Sequence, residues 1–173
     1  MKLIHIPATA FFFMFMNCYS QSKLDTKIRF KSISTGLGIC SGEINTGGIC
    51  AYIDATASIH ENLFSLAISS GSEFNLFDAS RNYNEIAFLY GRELNLSRII
   101  KLETLVGIAH FKVSYKNGDT DFILQSKSAI GFPIKLKLLF NVSPHFAFGL
   151  NPNVTFNAIE NTYSANHIFQ YNF

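Results

Sequence analysis

The chain has 173 residues, of which 48% are hydrophobic and only 15% are charged, against about 25% in an ordinary soluble domain. Fourteen lysines and arginines nearly balance twelve acidic residues, so the chain lacks the basic surplus that binds a nucleic-acid backbone. The length suits one domain. Eighteen phenylalanines and eleven glycines, with no tryptophan, make a helical bundle an awkward fit.

The first twenty residues have the form of a secretory signal peptide. A positive start precedes a mostly apolar run from Leu3 to Met16, which is short for a membrane-spanning helix of about 20 apolar residues. We expect cleavage after Ser20, and a lipidated Cys18 at the mature N-terminus is the alternative. The predicted boundaries are 1–20 for the signal peptide, 21–27 for a short lead and 28–173 for the folded domain.

Two cysteines remain in the mature chain, Cys40 and Cys50, and an exported compartment permits disulfides. They flank a polar, glycine-containing stretch with Asn45 midway. If this stretch is a hairpin loop, the two cysteines face each other across antiparallel strands, which predicts a disulfide. Two free thiols packed as small hydrophobes are the alternative. Nothing supplies further ligands at a zinc spacing, so we expect no metal site.

Beyond the signal peptide, apolar residues recur at every second position, which is the period of a β-strand. The stretches 49–59 and 130–140 show this pattern most clearly. Breaks at clusters of glycine, asparagine, aspartate, serine and proline divide the chain into eight strands. The predicted strands are 28–41, 47–60, 63–75, 82–95, 99–116, 120–140, 145–158 and 162–173.

The connections between these strands alternate in kind. Those that follow His60, Asn95 and Asn141 are tight, and the other four are generally longer or richer in loop residues. With a periplasmic N-terminus, every tight turn lies in the periplasm, as in bacterial outer-membrane barrels. We therefore predict an all-β fold: an eight-stranded antiparallel up-and-down transmembrane β-barrel with both termini periplasmic. The long segment 120–140 predicts either a strand that rises above the membrane or a bend near Pro133.

Composition decides which face of the strands points inward. The polar face consists mainly of small residues, which suit the narrow interior of an eight-stranded barrel better than a surface in water. The other face, with Phe64, Ile86 and Phe88, suits lipid. A soluble exported barrel that binds a small apolar ligand is the alternative and needs the opposite orientation. Charges on the interior must pair. The predicted lumen network is Asp54, Glu73, Glu85, Glu93, Lys101, Glu103 and Lys127, with Arg92 and Lys137 as further candidates.

Such a network favours a plugged lumen, because eight strands leave little free bore, and a narrow pore for water or small solutes is the alternative. A lipid-modifying enzyme is a third possibility. His110, His145 and His167 lack the His-x-Ser-Asn run of the lipid A deacylase barrels. Asp78 and Ser80 lie in an outer loop, but their spacing demands no catalytic role. We therefore assign no catalytic residue and no cofactor.

The last strand places aromatic residues at alternate positions, Phe169, Tyr171 and Phe173, and ends on a phenylalanine. In this respect the chain resembles the outer-membrane β-barrel superfamily, and with eight strands over 28–173 it is similar to the small OmpA/OmpX-like barrels. The resemblance implies that these three residues form a closing-strand signal read by the barrel-assembly machinery. We expect a monomer with a structural or surface-interaction role, whose partner is the lipid bilayer of a bacterial outer membrane.

Overall fold

The computed structural model describes residues 27–42, 47–73, 79–117 and 123–173, and within them the chain forms eight β-strands. The predicted signal peptide with Cys18 and most of the predicted lead lie outside the described residues. The strands are β1 (Arg29–Ser41), β2 (Gly47–Ile59), β3 (Asn62–Glu73), β4 (Ala79–Asn95), β5 (Ile100–Asn117), β6 (Ile123–Asn141), β7 (Phe146–Asn157) and β8 (Thr162–Asn172).

All eight predicted strands are confirmed, and no strand end differs from its predicted position by more than three residues. The period-two pattern succeeds here because each strand has one buried and one exposed face over most of its length. Among the described residues, no helix is long and apolar enough to cross a bilayer.

The strands pair in chain order, each antiparallel to its neighbours, and β8 pairs with β1 to close the barrel. Following paired residues around the barrel from Leu139 on β6 leads back to Ala129 on the same strand, ten residues away. A stagger larger than the number of strands means that the strands tilt strongly against the barrel axis. Closure leaves no sheet edge around the body of the barrel.

The two ends of the barrel differ. One end carries the start of β1, the end of β8 and the connections at 60–61, 96–99 and 142–145. We call it the turn end. The opposite end carries the connections at 42–46, 74–78, 118–122 and 158–161 and is called the loop end. The predicted alternation of turns and loops is therefore confirmed.

The barrel wall is taller on one side. β4, β5 and β6 have 17, 18 and 19 residues, whereas the other strands have 11 to 13. β6 pairs with β5 from Ile123 but with β7 only from Gly131, so its first part rises above the β7–β8 side. The predicted extension of this segment is confirmed. Pro133 lies within β6, where it cannot donate a ladder hydrogen bond.

Side chains alternate between the two faces of the wall as predicted. On β3, Ser65, Ala67 and Ser69 are buried inside the barrel, whereas Leu66 and Ile68 are exposed outside. The polar face therefore points inward. A soluble barrel that binds an apolar ligand in its centre needs the reverse arrangement, so the structure does not favour that alternative.

Candidate functional site

Six charged side chains form an alternating chain of ion pairs across the lumen near the turn end. Lys31 contacts Glu93 and lies 2.9 Å from Glu103 Oε1. Lys137 Nζ lies 3.6 Å from Glu103 Oε2 and 2.5 Å from Asp54 Oδ2. We call this network the lumen chain. In order of contact its members are Lys101, Glu93, Lys31, Glu103, Lys137 and Asp54. Its members come from five strands, so the chain ties opposite parts of the wall together.

Neutral side chains form further hydrogen bonds with Lys137 and Asp54 of the lumen chain. Lys137 Nζ donates to Ser34 Oγ at 3.3 Å, and Ser34 Oγ donates to Gln170 Oε1 at 2.8 Å. Thr56 Oγ1 donates to Asp54 Oδ1 at 3.2 Å. Because Lys137 and Asp54 are fully buried, these contacts offset part of the cost of removing the two charges from water.

One more ion pair, separate from the lumen chain, lies deeper in the lumen. Lys135 Nζ is 3.4 Å from Glu85 Oε1, and Glu85 also accepts hydrogen bonds from Ser69 at 3.3 Å and Thr155 at 2.6 Å. The ring of Tyr52 lies beside the ammonium groups, with the Lys135 nitrogen 5.0 Å from its centroid. With the lumen chain, four lysines balance four carboxylates. These are Lys31, Lys101, Lys135 and Lys137 against Asp54, Glu85, Glu93 and Glu103.

Aromatic and ionic contacts also occupy the lumen towards the loop end. Tyr83 stacks on Phe111 with 5.8 Å between ring centroids. Above them Arg81 on β4 forms an ion pair with Glu160 in the β7–β8 connection. These two elements lie on opposite sides of the barrel, so the Arg81–Glu160 pair crosses its mouth. Side chains therefore cross the lumen at several heights.

The predicted interior charges divide into three groups. Lys127 has the inward register, since it pairs with buried Val113, but it is exposed because β6 rises above the rim there. It is therefore not part of the lumen chain, contrary to the prediction. The side chain of Glu73 lies outside the described residues, and Arg92 is half-buried at an outward-facing position beside Asn62. The predicted residues found in the two lumen networks are Asp54, Glu85, Glu93, Lys101, Glu103 and the further candidate Lys137.

Four charged lumen residues escape the sequence-based prediction. Lys135 lies two positions before Lys137 on the same face, a signal that is present in the alternation. Lys31 turns inward at a β-bulge between Phe30 and Ser32, which shifts the register and breaks the simple alternation. Arg81 and Glu160 meet only because the barrel closes, and a loop residue carries no strand periodicity. The sequence pattern does not predict the Arg81–Glu160 contact, because it carries no information about how the barrel closes.

The cysteine prediction requires correction. Cys40 pairs with Gly48 and Cys50 pairs with Gly38, so the two cysteines are diagonal neighbours rather than direct partners. Both are buried thiols, and Cys50 Sγ donates to Asn166 Oδ1 at 3.1 Å. The two cysteine side chains nevertheless interact with each other across the hairpin. The predicted direct pairing is therefore wrong, because the hairpin register is centred one residue earlier than the symmetric loop suggests, and both cysteines are thiols in the structure.

The three histidines considered for a hydrolytic site lie on separate surfaces. His110 on β5 and His167 on β8 are exposed on the outward face, and His145 lies in a turn at the other end from the loops. His145 Nδ1 is 3.0 Å from the backbone oxygen of Asn172. Asp78 lies outside the described residues, as does the side chain of Ser80. His110 and His167 therefore lie on the outer surface and His145 lies in a turn, so the structure does not bring the three together in one site.

The outer surface of the barrel carries a continuous apolar belt. Leu37, Leu66 and Phe88 are 67%, 56% and 54% exposed, and comparable residues occur on every strand. Aromatic side chains pair within this belt near the turn end, including Phe64 with Tyr90 at 5.4 Å between centroids. A monomeric soluble protein rarely exposes so large an apolar surface.

The closing strand completes this belt. Phe169, Tyr171 and Phe173 are all exposed on the outward face. The ring of Phe173 lies 5.0 Å from Tyr171 and 4.8 Å from Phe30, and its backbone nitrogen donates to the oxygen of Lys31 at 2.9 Å. The final residue therefore joins the two strands that close the barrel.

Comparison with known proteins identifies the fold through structure rather than sequence. No protein-family model matches the chain, and no curated protein matches it. Neisserial surface protein A superimposes with a TM-score of 0.71 and 11% identity, covering 85% of this chain and 99% of that one. Ail, the attachment invasion locus protein of Yersinia pestis, gives 0.61 and 12%, covering 84% and 99%. This is the fold of the small eight-stranded outer-membrane β-barrels.

A third structure extends the comparison. The N-terminal β-barrel domain of Pseudomonas aeruginosa OprF gives a TM-score of 0.58 at 12% identity, covering 85% of this chain and all of that domain. The barrel shared by these proteins and this chain is therefore maintained at very low identity.

Proposed function

We propose that this protein is an integral β-barrel of a bacterial outer membrane, with the turn end in the periplasm and a structural or surface-interaction role. The observation that carries the proposal is the inverted distribution of polarity: the ion pairs lie inside the barrel and the apolar belt lies outside. Lipid solvates such a surface, and a closed barrel satisfies all backbone hydrogen bonds within the bilayer. Strands of 11 residues or more are long enough to cross.

The tall side of the wall supports a role at the cell surface. Above the apolar belt, the outward positions of β4, β5 and β6 become polar and exposed. They include Asn84, Lys112, Ser126 and Ser128. This part of the sheet suits water rather than lipid, which supports a polar strand surface that projects from the membrane. One structural neighbour is called an attachment invasion locus protein and another a surface protein, which supports contact with external components as the role.

The lumen supports a closed barrel rather than a pore. The lumen chain, the Lys135–Glu85 pair and the Arg81–Glu160 pair cross it at successive heights. Eight strands enclose only enough space for side chains. We therefore propose that these contacts hold the wall rigid and block passage of solutes.

Cell fractionation tests the membrane assignment. After expression in a Gram-negative host, we expect the protein in the outer-membrane fraction, with faster gel migration before heating than after heating. Recovery as a soluble periplasmic protein would overturn the proposal.

A pair of substitutions makes the same experiment specific to the belt. Leu66→Arg places a charge in the belt, where it costs about 2–4 kcal/mol near the bilayer midplane. Ser70→Arg, two outward positions nearer the loop end, is the matched control and costs about 1 kcal/mol or less near the interface. Both positions are exposed on the same strand, so a soluble barrel would tolerate both equally. We expect much less assembled Leu66→Arg protein than Ser70→Arg protein.

A further inference from the structure

Cys40 and Cys50 form a buried pair of thiols on the inner wall of the barrel, towards the loop end. They are 3% and 2% exposed, and their side chains interact with each other. The residues directly opposite them in the β1–β2 hairpin are both glycines, Gly48 opposite Cys40 and Gly38 opposite Cys50. The thiols occupy one diagonal of this four-residue block and the glycines occupy the other. Neither strand of the hairpin therefore places a side chain between the two sulfur atoms.

A third glycine lets the sulfur of Cys40 extend across β2. Gly71 on β3 lies directly opposite Cys50. A Cβ added at Gly71 would lie only 2.9 Å from Cys40 Sγ and 2.3 Å from the ring of Tyr83. The sulfur of Cys40 thus lies beside the β3 neighbour of Cys50, although Cys40 itself belongs to β1. The side chain of Cys40 is therefore directed towards Cys50.

Other side chains cover the thiol pair on the side of the loop end. Tyr83 packs into the space over Gly71 and stacks on Phe111, and the Arg81–Glu160 pair lies above them. A protein oxidant cannot enter the lumen of the finished barrel through these layers. Any exchange of the thiols with such an oxidant must therefore precede closure of the barrel.

We infer that Cys40 and Cys50 are an oxidation site, and that they form a disulfide inside the lumen before the barrel closes. A thiolate of one cysteine attacks the disulfide of a periplasmic dithiol–disulfide oxidant and forms a mixed disulfide. The second cysteine then displaces the oxidant. One S–S bond forms in the chain and the one in the oxidant breaks, and the reduced oxidant keeps both protons as two thiols. The inference rests on the proposed function only for the compartment, since the periplasm supplies such an oxidant.

A link at this point acts on the seam of the barrel. Towards the loop end the hairpin is rich in glycine, with Gly36, Gly38, Gly47 and Gly48. Pairing register is weakly specified in glycine-rich strands. Because β1 also pairs with β8 to close the barrel, a covalent bond between β1 and β2 fixes the register of one side of the seam before β8 pairs with it.

The test traps the thiols in the cell and uses the full chain. It is expressed in a Gram-negative host and in the same host without its periplasmic dithiol oxidase, and thiols are alkylated during lysis. The assembled barrel is recovered from the outer membrane, unfolded in the alkylating agent and weighed by mass spectrometry. From the normal host we expect no alkylation of Cys40 or Cys50 and the loss of two hydrogen masses, with the linked peptides identified after digestion. From the other host we expect two alkylated thiols.

Three variants check that this pair of thiols is responsible. Cys40→Ser and Cys50→Ser should each leave one alkylatable thiol. The double variant Cys50→Ser/Ala51→Cys is the matched control, because it moves the second thiol by one residue to an exposed outward position. Barrels assembled from it should keep two thiols, since side chains on opposite faces of a strand point apart and cannot be bridged. An equal yield of disulfide in these barrels would show that chain proximity alone drives oxidation and would overturn the inference.

Two further results would contradict the inference, and a third concerns the proposed function. Two alkylated thiols in barrels from the normal host would overturn it. Thiols that become alkylatable only after a chelator is added would identify a metal site and overturn it as well. Both results leave the proposed function intact, since the barrel is recovered from the outer membrane. A soluble periplasmic protein that carries the Cys40–Cys50 disulfide would reject the proposed function and support the inference.

Discussion

At the scale of single residues, Lys137 is the most constrained cation of the lumen. Its nitrogen contacts Asp54 and Glu103, and its side chain is fully buried. An isolated buried charge is costly, whereas a buried pair roughly compensates its own desolvation. The stability of the barrel therefore depends on keeping the number of buried charges balanced rather than on any one ion pair.

This balance predicts the effect of removing Lys137. Lys137→Met leaves Asp54 and Glu103 with one cation fewer, and we expect the free energy of unfolding to fall by about 3 kcal/mol. Because the chain has no tryptophan, urea unfolding in lipid vesicles is best followed by circular dichroism. Lys112→Met, at an exposed outward position, should change the free energy by about 0.5 kcal/mol or less.

A second substitution distinguishes charge balance from lost packing. Adding Asp54→Asn to Lys137→Met removes one negative charge and restores the balance, so we expect the double variant to be more stable than Lys137→Met alone. If the double variant is no more stable than the single one, the charge-balance interpretation is wrong and loss of packing around position 137 explains the effect of Lys137→Met.

At the scale of strands, closure of the barrel depends on the pairing of β8 with β1. Phe173 holds the β8–β1 seam through its ring contacts and its backbone hydrogen bond to Lys31. We expect deletion of Phe173 to lower the assembled, heat-modifiable fraction in the outer membrane far more than Phe173→Tyr does. Tyrosine keeps both the aromatic ring and the backbone donor, so it is the matched control. Equal assembly of the two variants would remove support for a closing-strand signal at this position.

Strands are also the scale at which sequence is most informative. Alternation is a local property, so it predicts all eight strands and the face on which Asp54 and Glu103 lie. It reports which face a residue occupies but not its height, so it predicts Lys127 in the lumen although this residue lies above the rim. Register across a hairpin depends on turn geometry, and a shift of two residues separates Cys40 from direct pairing with Cys50.

The contacts that sequence does not predict depend mainly on closure or on irregular backbone. Lys31 reaches Glu103 because a bulge reorients it, and Arg81 reaches Glu160 because β4 lies opposite the β7–β8 connection in a closed barrel. Neither the bulge nor the closing geometry has a period in the sequence. The composition of the interior is therefore predictable, but the pairing of its charges is only partly so.

At the scale of the whole molecule, the layers in the lumen make a prediction about conductance. The Arg81–Glu160 pair lies at the loop end, and the lumen chain lies near the turn end. A layered plug stays closed when one layer is removed. We therefore expect no steady open-channel current in planar bilayers from the unsubstituted barrel, nor from the double variant Arg81→Ser/Glu160→Ser, which removes both partners of the outer ion pair. A wide porin in the same bilayers is the positive control, and heat-modifiable migration verifies that the barrel is folded. Steady currents from the unsubstituted barrel would show a pore, and currents that appear only in the double variant would make Arg81–Glu160 a gate above an already open path.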